Sequence, residues 1–209
     1  PEYAIVPDAD FPIVNGEKGV ASLRVTGSLA AARPAETESV WFVSAQSGER
    51  PNIVPDRAEL VFGHSEDASA AVLEAELRRF LDRQPGASAG IVAQPSDNSL
   101  RVQFHGRSSH GSRPDHGHNA AADLLLFMSQ SALVSDDEAD AAGFLAQCAQ
   151  SLDGAALGID RQDAVMGQTT CSLGILRWNG AQFEAVFNIR PTRGTTADAV
   201  VGRVSSAVQ

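Results

Sequence analysis

Apolar positions recur along the chain in two rhythms, a two-residue alternation over short runs and a helical spacing over longer ones. Residues 19–25 (GVASLRV), 38–46 (ESVWFVSAQ) and 58–63 (AELVFG) carry the first rhythm and are expected to be strands. Leu73, Leu77, Phe80 and Leu81 then mark one face of a helix that Pro85-Gly86 ends. Residues 88–94 (SAGIVAQ) and 100–106 (LRVQFHG) read as two further strands joined by the turn-rich PSDN. Two helices follow, over about 119–133 and 137–152. The first has Asn119 as its cap. The second opens on acidic Asp136 and Asp137 and buries Ala141, Leu145, Cys148 and Leu152. Residues 171–178 and 181–190 flank Asn179-Gly180, a dipeptide suited to a type I′ hairpin turn because both central positions need positive φ. A last helix starts at a Thr196 cap and places Val200, Val204 and Val208 on one face.

Strands separated by helices, mostly in hairpin or split βαβ arrangements, predict an α+β sandwich with the helices on one face of the sheet. The pattern occurs roughly twice, over 19–106 and, incompletely, over 119–209, so two similarly built halves are expected. The Pro/Gly-rich segment 107–118 forms the boundary between them. The chain opens on Pro1 and ends in a helical pattern with no Gly or Pro stop signal, which predicts an internal piece of a longer protein.

The 209 residues hold 16 Lys plus Arg against 26 Asp plus Glu, a formal net charge of −10, the wrong sign for a protein that binds nucleic acid through its phosphates. No apolar run reaches the length of about 18 residues that a membrane-spanning helix needs. The two cysteines, Cys148 and Cys171, form no CxxC pair and no disulfide-dense pattern. They point to a reducing compartment, the cytoplasm, and leave no cysteine-built zinc site.

The densest chemistry lies in FHGRSSHGSRPDHGHNA, residues 104–120, with four of the five histidines. His116 and His118 stand two apart in a Pro/Gly-rich loop, without the HExxH spacing or a nearby carboxylate or cysteine set to complete a tetrahedral site. His105, His116 and His118 read as polar loop residues. His110, at the end of a strand pattern, is placed to present an imidazole to a ligand on a neighbouring surface.

Further stretches complete a pattern: PDADFP at 7–12, NGEKG at 15–19, GERPNIVPD at 48–56, MGQTTCSLGIL at 166–176 and FNIRP at 187–191. Taken in order with HGxxxHGxxPxxGxNA between them, they resemble the zinc-dependent amidohydrolases of peptidase family M twenty, which include aminoacylase, carboxypeptidase G and the dipeptidase V or carnosinase-like enzymes. The dipeptidase V branch is the most similar. The resemblance implies a lid domain of two similar ferredoxin-like α+β halves that mimics a dimer and interrupts a catalytic domain carrying two zinc ions. On that basis residues 1–18 are a lead-in from the catalytic domain, 19–106 the first lid half, 107–118 a connecting loop and 119–209 the second half, truncated at its end. The two metal-binding histidines, the bridging aspartate and the paired glutamates of the family would lie outside these residues.

By the same resemblance Asp8 matches a zinc-binding aspartate, a single ligand that cannot hold zinc alone. His110 matches the lid histidine that reaches over the active site and Asn52 the asparagine paired with it. Both can donate to a carbonyl oxygen as it becomes a tetrahedral oxyanion. Arg190 matches the arginine that receives the substrate's terminal carboxylate, a role suited to a planar guanidinium. Pro191 follows it at once, where the family has an intervening aromatic residue. Gly167 and Thr170 match, loosely, a loop lining the substrate cleft. The implied activity is hydrolysis of a dipeptide or N-acyl amino acid, with a small peptide and the chain's own catalytic domain as partners.

Two readings from other classes stay open on sequence grounds. One is a stand-alone α+β module for oligomerisation or ligand binding through an exposed sheet edge. The other is a hydrolase using Ser109, His110 and Asp115, which the lack of a strand-turn-helix elbow disfavours.

Overall fold

Seven strands run antiparallel to their neighbours in one sheet, and their inward residues show how the sequence specifies it. A computed structural model describes residues 16–29, 40–65, 70–94 and 99–207. The elements in chain order are β1 (Ala21–Ser28), β2 (Val40–Ser47), β3 (Ile53–Val54), β4 (Arg57–His64), α1 (Ala71–Arg83), β5 (Ser88–Gln94), β6 (Ser99–His105) and β7 (Ser109–His110). They continue with α2 (Ala120–Met128), α3 (Asp136–Gln150), β8 (Gln162–Asp163), β9 (Gly167–Gln168), β10 (Thr170–Asn179), β11 (Gln182–Arg190) and α4 (Ala197–Ala207). The large sheet has the order β1-β11-β10-β2-β4-β6-β5, and the pairs β3-β7 and β8-β9 stand apart from it.

Alternation decides which face is covered. Ala58, Leu60 and Phe62 of β4, Leu100, Val102 and Phe104 of β6, and Ala185, Phe187 and Ile189 of β11 join Leu73, Leu77 and Phe80 of α1 and Val200 and Val204 of α4 in one buried cluster. The residues between them carry charge on the open face, where Arg101 pairs with Glu59 at 3.2 Å and Arg24 with Glu184. The fold is therefore an α+β sandwich with its helices on one side of an antiparallel sheet. At the centre lies α2, seven of whose nine residues are buried. Its Phe127 meets Phe80 edge-on at 5.5 Å and Phe104 at 5.8 Å. A second aromatic group, Phe42, Trp178 and Phe183, joins β2 to β10 and β11, with ring centroids 5.7 and 5.0 Å apart.

The segments 19–106 and 119–209 contribute to the same sheet. They meet where β2 pairs with β10 over four residue pairs, from Leu176↔Ser47 to Asn179↔Ser44. Strand β1 crosses to the far edge and pairs with β11 from Ala21↔Ile189 to Ser28↔Gln182.

Several local expectations shift. The hairpin pairs Asn179 with Gln182, so its central residues are Gly180 and Ala181, and the positive φ of 49° falls on Gly180. Helix α2 stops at Met128 instead of reaching 133, because the polar Ser129-Gln130-Ser131 turns the chain and Glu76 of α1 accepts from the Ser131 hydroxyl and, at 3.3 Å, from the Ala132 N–H. Helix α3 ends at Gln150, where Ser151 bonds Asp153 at 3.0 Å, so Leu152 is exposed rather than on the buried face. Three caps form, those at Asn119 and Thr196 as read and the one at Ser135 in addition. Asn119 accepts from Ala121 N at 3.0 Å, Ser135 and Glu138 make a reciprocal capping box, and Thr196 accepts from Ala199 N at 3.2 Å. Asp8 and Val208 lie outside the described residues.

Candidate functional site

A bulge in β10 organises the site. The register with β11 shifts between Leu173 and Ile175, and at Gly174 in that gap an added Cβ would lie 2.2 Å from the carbonyl oxygen of Pro51. Gly48, with φ of 68°, is as close from the other side, its absent Cβ position 1.9 Å from the Gly174 oxygen. Two glycines thus let the loop carrying Asn52 lie directly on the sheet. The loop leads into β3, which pairs with β7 through Ile53↔His110 and Val54↔Ser109, and Gly111 N donates to Asn52 O at 2.8 Å. Asn52, in the loop just before β3, and His110, at the end of β7, are therefore held beside each other by backbone.

His110 is exposed, and its ring is oriented from one side. Ser112 N donates to Nδ1 at 3.3 Å, with the Ser112 hydroxyl 2.7 Å from the same nitrogen. A backbone N–H can only donate, so Nδ1 is the acceptor and the proton of the neutral ring is on Nε2. The outward nitrogen is a hydrogen-bond donor.

Arg190 ends β11 opposite Thr170. Its Nε donates to Asn188 Oδ1 at 3.0 Å, which leaves the two terminal NH₂ groups as the edge open to a ligand. Asn188 is 1% exposed, and its Oδ1 lies 2.9 Å from where a Cβ on Gly111 would be. The structure thus brings Asn52, His110 and Arg190 together around Gly111 and Asn188. Beside them, Gly19 packs against Pro191, and Lys18 donates from Nζ to the carbonyl of Gln168 in β9. Burial pushes the Lys18 ammonium below its ordinary value. Asp163 of β8 accepts from Val165 N and Met166 N, both at 2.8 Å, and from Arg193 Nε at 3.4 Å, and the two backbone donors hold its carboxyl below the usual range.

Other expected candidates separate. The Ser109 hydroxyl donates to Arg113 O at 3.1 Å, and Asp115 lies 3.7 Å from His116, so Ser109, His110 and Asp115 do not line up as a triad. His118 Nε2 lies 2.6 Å from Asp123 Oδ2, an interaction sequence spacing alone did not reveal. Burial pushes the Asp123 carboxyl up, and His118 opposes that shift. Among the described residues no three His, Cys, Asp or Glu side chains converge to hold a metal ion. Asn188, Ser112 and Gly111 were missed as site residues. The visible signal was a lone Asn inside the apolar run Ala185–Ile189.

No protein-family model matches the chain. Its similarity is to proteins named putative dipeptidases, and it runs the length of the chain. Putative dipeptidase YtjP of Bacillus subtilis is 31% identical over 192 residues, covering 91% of this chain and 40% of that protein. Putative dipeptidase SAB1611c of Staphylococcus aureus is 26% identical over 210 aligned residues, covering all of this chain and 44% of its own length. The chain thus spans less than half the length of the curated relatives it matches.

Proposed function

We propose that the chain is the lid domain of a cytoplasmic zinc-dependent dipeptidase, in which Asn52 and His110 face the scissile carbonyl and Arg190 receives the terminal carboxylate. The observation that carries this reading is the meeting of these three residues at one loop-strand junction, Asn52 and His110 tied through the backbone around Gly111 and Arg190 through Asn188, and the dipeptidase names of relatives similar along the whole chain support it. His110 offers a proton on Nε2, the atom an oxyanion needs. Arg190, with Nε already bonded to Asn188, offers its paired NH₂ groups end-on to a carboxylate. The proposal includes two lid halves, 19–106 and 119–209, joined by 107–118, with 1–18 leading in from the chain's own catalytic domain.

The described residues do not fit a zinc site, so the two zinc ions of the proposal, with Asp8 among their ligands, belong with residues outside them. No step here is routed through metal. The lid's part is positional. It brings donors to a carbonyl whose attacking group comes from elsewhere, so the lid must close before the site is complete.

Steady-state kinetics of the full-length protein test this. His110→Ala and Asn52→Ala are expected to lower kcat about a hundredfold or more with little change in KM, because their bonds strengthen only as charge develops. Arg190→Ala is expected to raise KM for free dipeptides and to matter less when the terminal carboxylate is amidated. A full-length protein that hydrolyses neither dipeptides nor N-acyl amino acids with zinc supplied would refute the reading and leave a binding module.

A further inference from the structure

One oxygen touches both parts of the site. Asn188 is buried at 1% exposure on a strand whose neighbours Val186, Phe187 and Ile189 are apolar, and an amide in such a place is costly unless its atoms are bonded. Its Oδ1 accepts from Arg190 Nε at 3.0 Å and lies 2.9 Å from the absent Cβ of Gly111. Gly111 follows His110 and is tied by its own N–H to Asn52 O at 2.8 Å. Across the ladder Asn188 faces Ser172, also 1% exposed, whose hydroxyl has no hydrogen-bond partner among the described residues. Two buried polar side chains thus lie opposite each other at this end of the sheet, and the part-buried Arg190 is bonded to one of them.

We propose that Asn188 is a positioning residue. Its Oδ1 fixes the Nε edge of Arg190 and packs against the Gly111 backbone, which locks the guanidinium in register with His110 and leaves only end-on approach to a carboxylate. The inference rests on the carboxylate-receiving role proposed for Arg190, and its first test does not depend on that role.

Crystal structures of the full-length protein and its Asn188→Ala variant are expected to show the guanidinium displaced in the variant. An Arg190 that keeps its place without Asn188 overturns the inference, whatever the enzyme's substrate. In kinetics, Asn188→Ala should raise KM for free dipeptides about tenfold, the size of losing one hydrogen bond to a charged group, with kcat and amidated substrates little changed. In an Arg190→Ala background the same substitution should add nothing to KM, whereas full additivity, or an equal effect on amidated substrates, overturns it. Asn188→Asp keeps shape and acceptor and guards against loss of folding. It should leave Arg190 in place yet raise KM for free dipeptides, because its carboxylate neutralises the guanidinium, and an unchanged KM would count against the proposal. If Arg190→Ala itself fails to separate free from amidated dipeptides, the functional reading fails while the crystallographic comparison still decides the positioning role.

Discussion

Replacing Gly174 by alanine should dislodge the loop that carries Asn52. The new methyl group would sit 2.2 Å from Pro51 O and 2.6 Å from its carbonyl carbon, both backbone atoms that no rotamer change can move. Either the loop lifts or the bulge in β10 flattens, and overpacking of this kind costs about 1–3 kcal/mol. Gly90 of β5 is the control. A Cβ there meets nothing within 4 Å, so Gly90→Ala should gain about 0.5–1 kcal/mol from the lower chain entropy of alanine in a strand. The two substitutions are chemically identical, and urea unfolding midpoints at constant slope should separate them by at least about 1.5 kcal/mol, the sum of the smaller loss and the smaller gain. Two variants of equal stability would show that Pro51 does not press on the sheet, and the account of how Asn52 is held would fall with it.

Phe127→Ala should cost about 3–5 kcal/mol in the same assay, since it removes the ring that meets both Phe80 and Phe104 at the centre of the core. The Asp123 carboxyl has a folded value raised by burial, so the unfolded chain loses that proton first and this residue's contribution to stability falls as pH rises from the ordinary carboxylate value through the folded one. Asp123→Asn should flatten that part of the stability-against-pH curve, as denaturant midpoints taken upward in pH from the ordinary carboxylate value would show. Burial pushes the Cys148 thiol up to about 11 and the Cys171 thiol to about 12, so a thiol-labelling reagent at pH 8 should modify both in urea and neither rapidly in the native protein.

The large elements were legible because their periodicity is long enough to count. Strand β5 runs over 88–94 as read, and the apolar face Leu73, Leu77, Phe80 of α1 is the buried one. The sheet order was not legible, because alternation tells which face of β1 is covered and says nothing of which strand lies beside it. The candidate site was legible through motifs, which named Asn52, His110 and Arg190 separately. What joins them was hidden. The pairs β3-β7 and β8-β9 are two residues per strand, too short to show any period, and the contact of Gly111 with Asn188 spans 77 positions of sequence. Close approach of two backbones is a tertiary property, and glycine at 48, 111 and 174 is the trace it leaves here.

The antiparallel pairing of β1 with β11 sets a timetable for synthesis. Arg24 lies beside Val186, so this amphipathic strand must wait for some 160 residues of further synthesis before its partner exists. At a translation rate of about 5–20 residues per second that wait is on the order of 10–30 s, during which Leu23 and Val25 have no sheet to cover them. The β2-β4-β6-β5 ladder needs only residues 40–105 and can form meanwhile, with α1 across it. A nascent chain shorter than residue 190 should therefore offer a loose, alternating apolar strand to chaperones, and its capture should cease once β11 has left the ribosome.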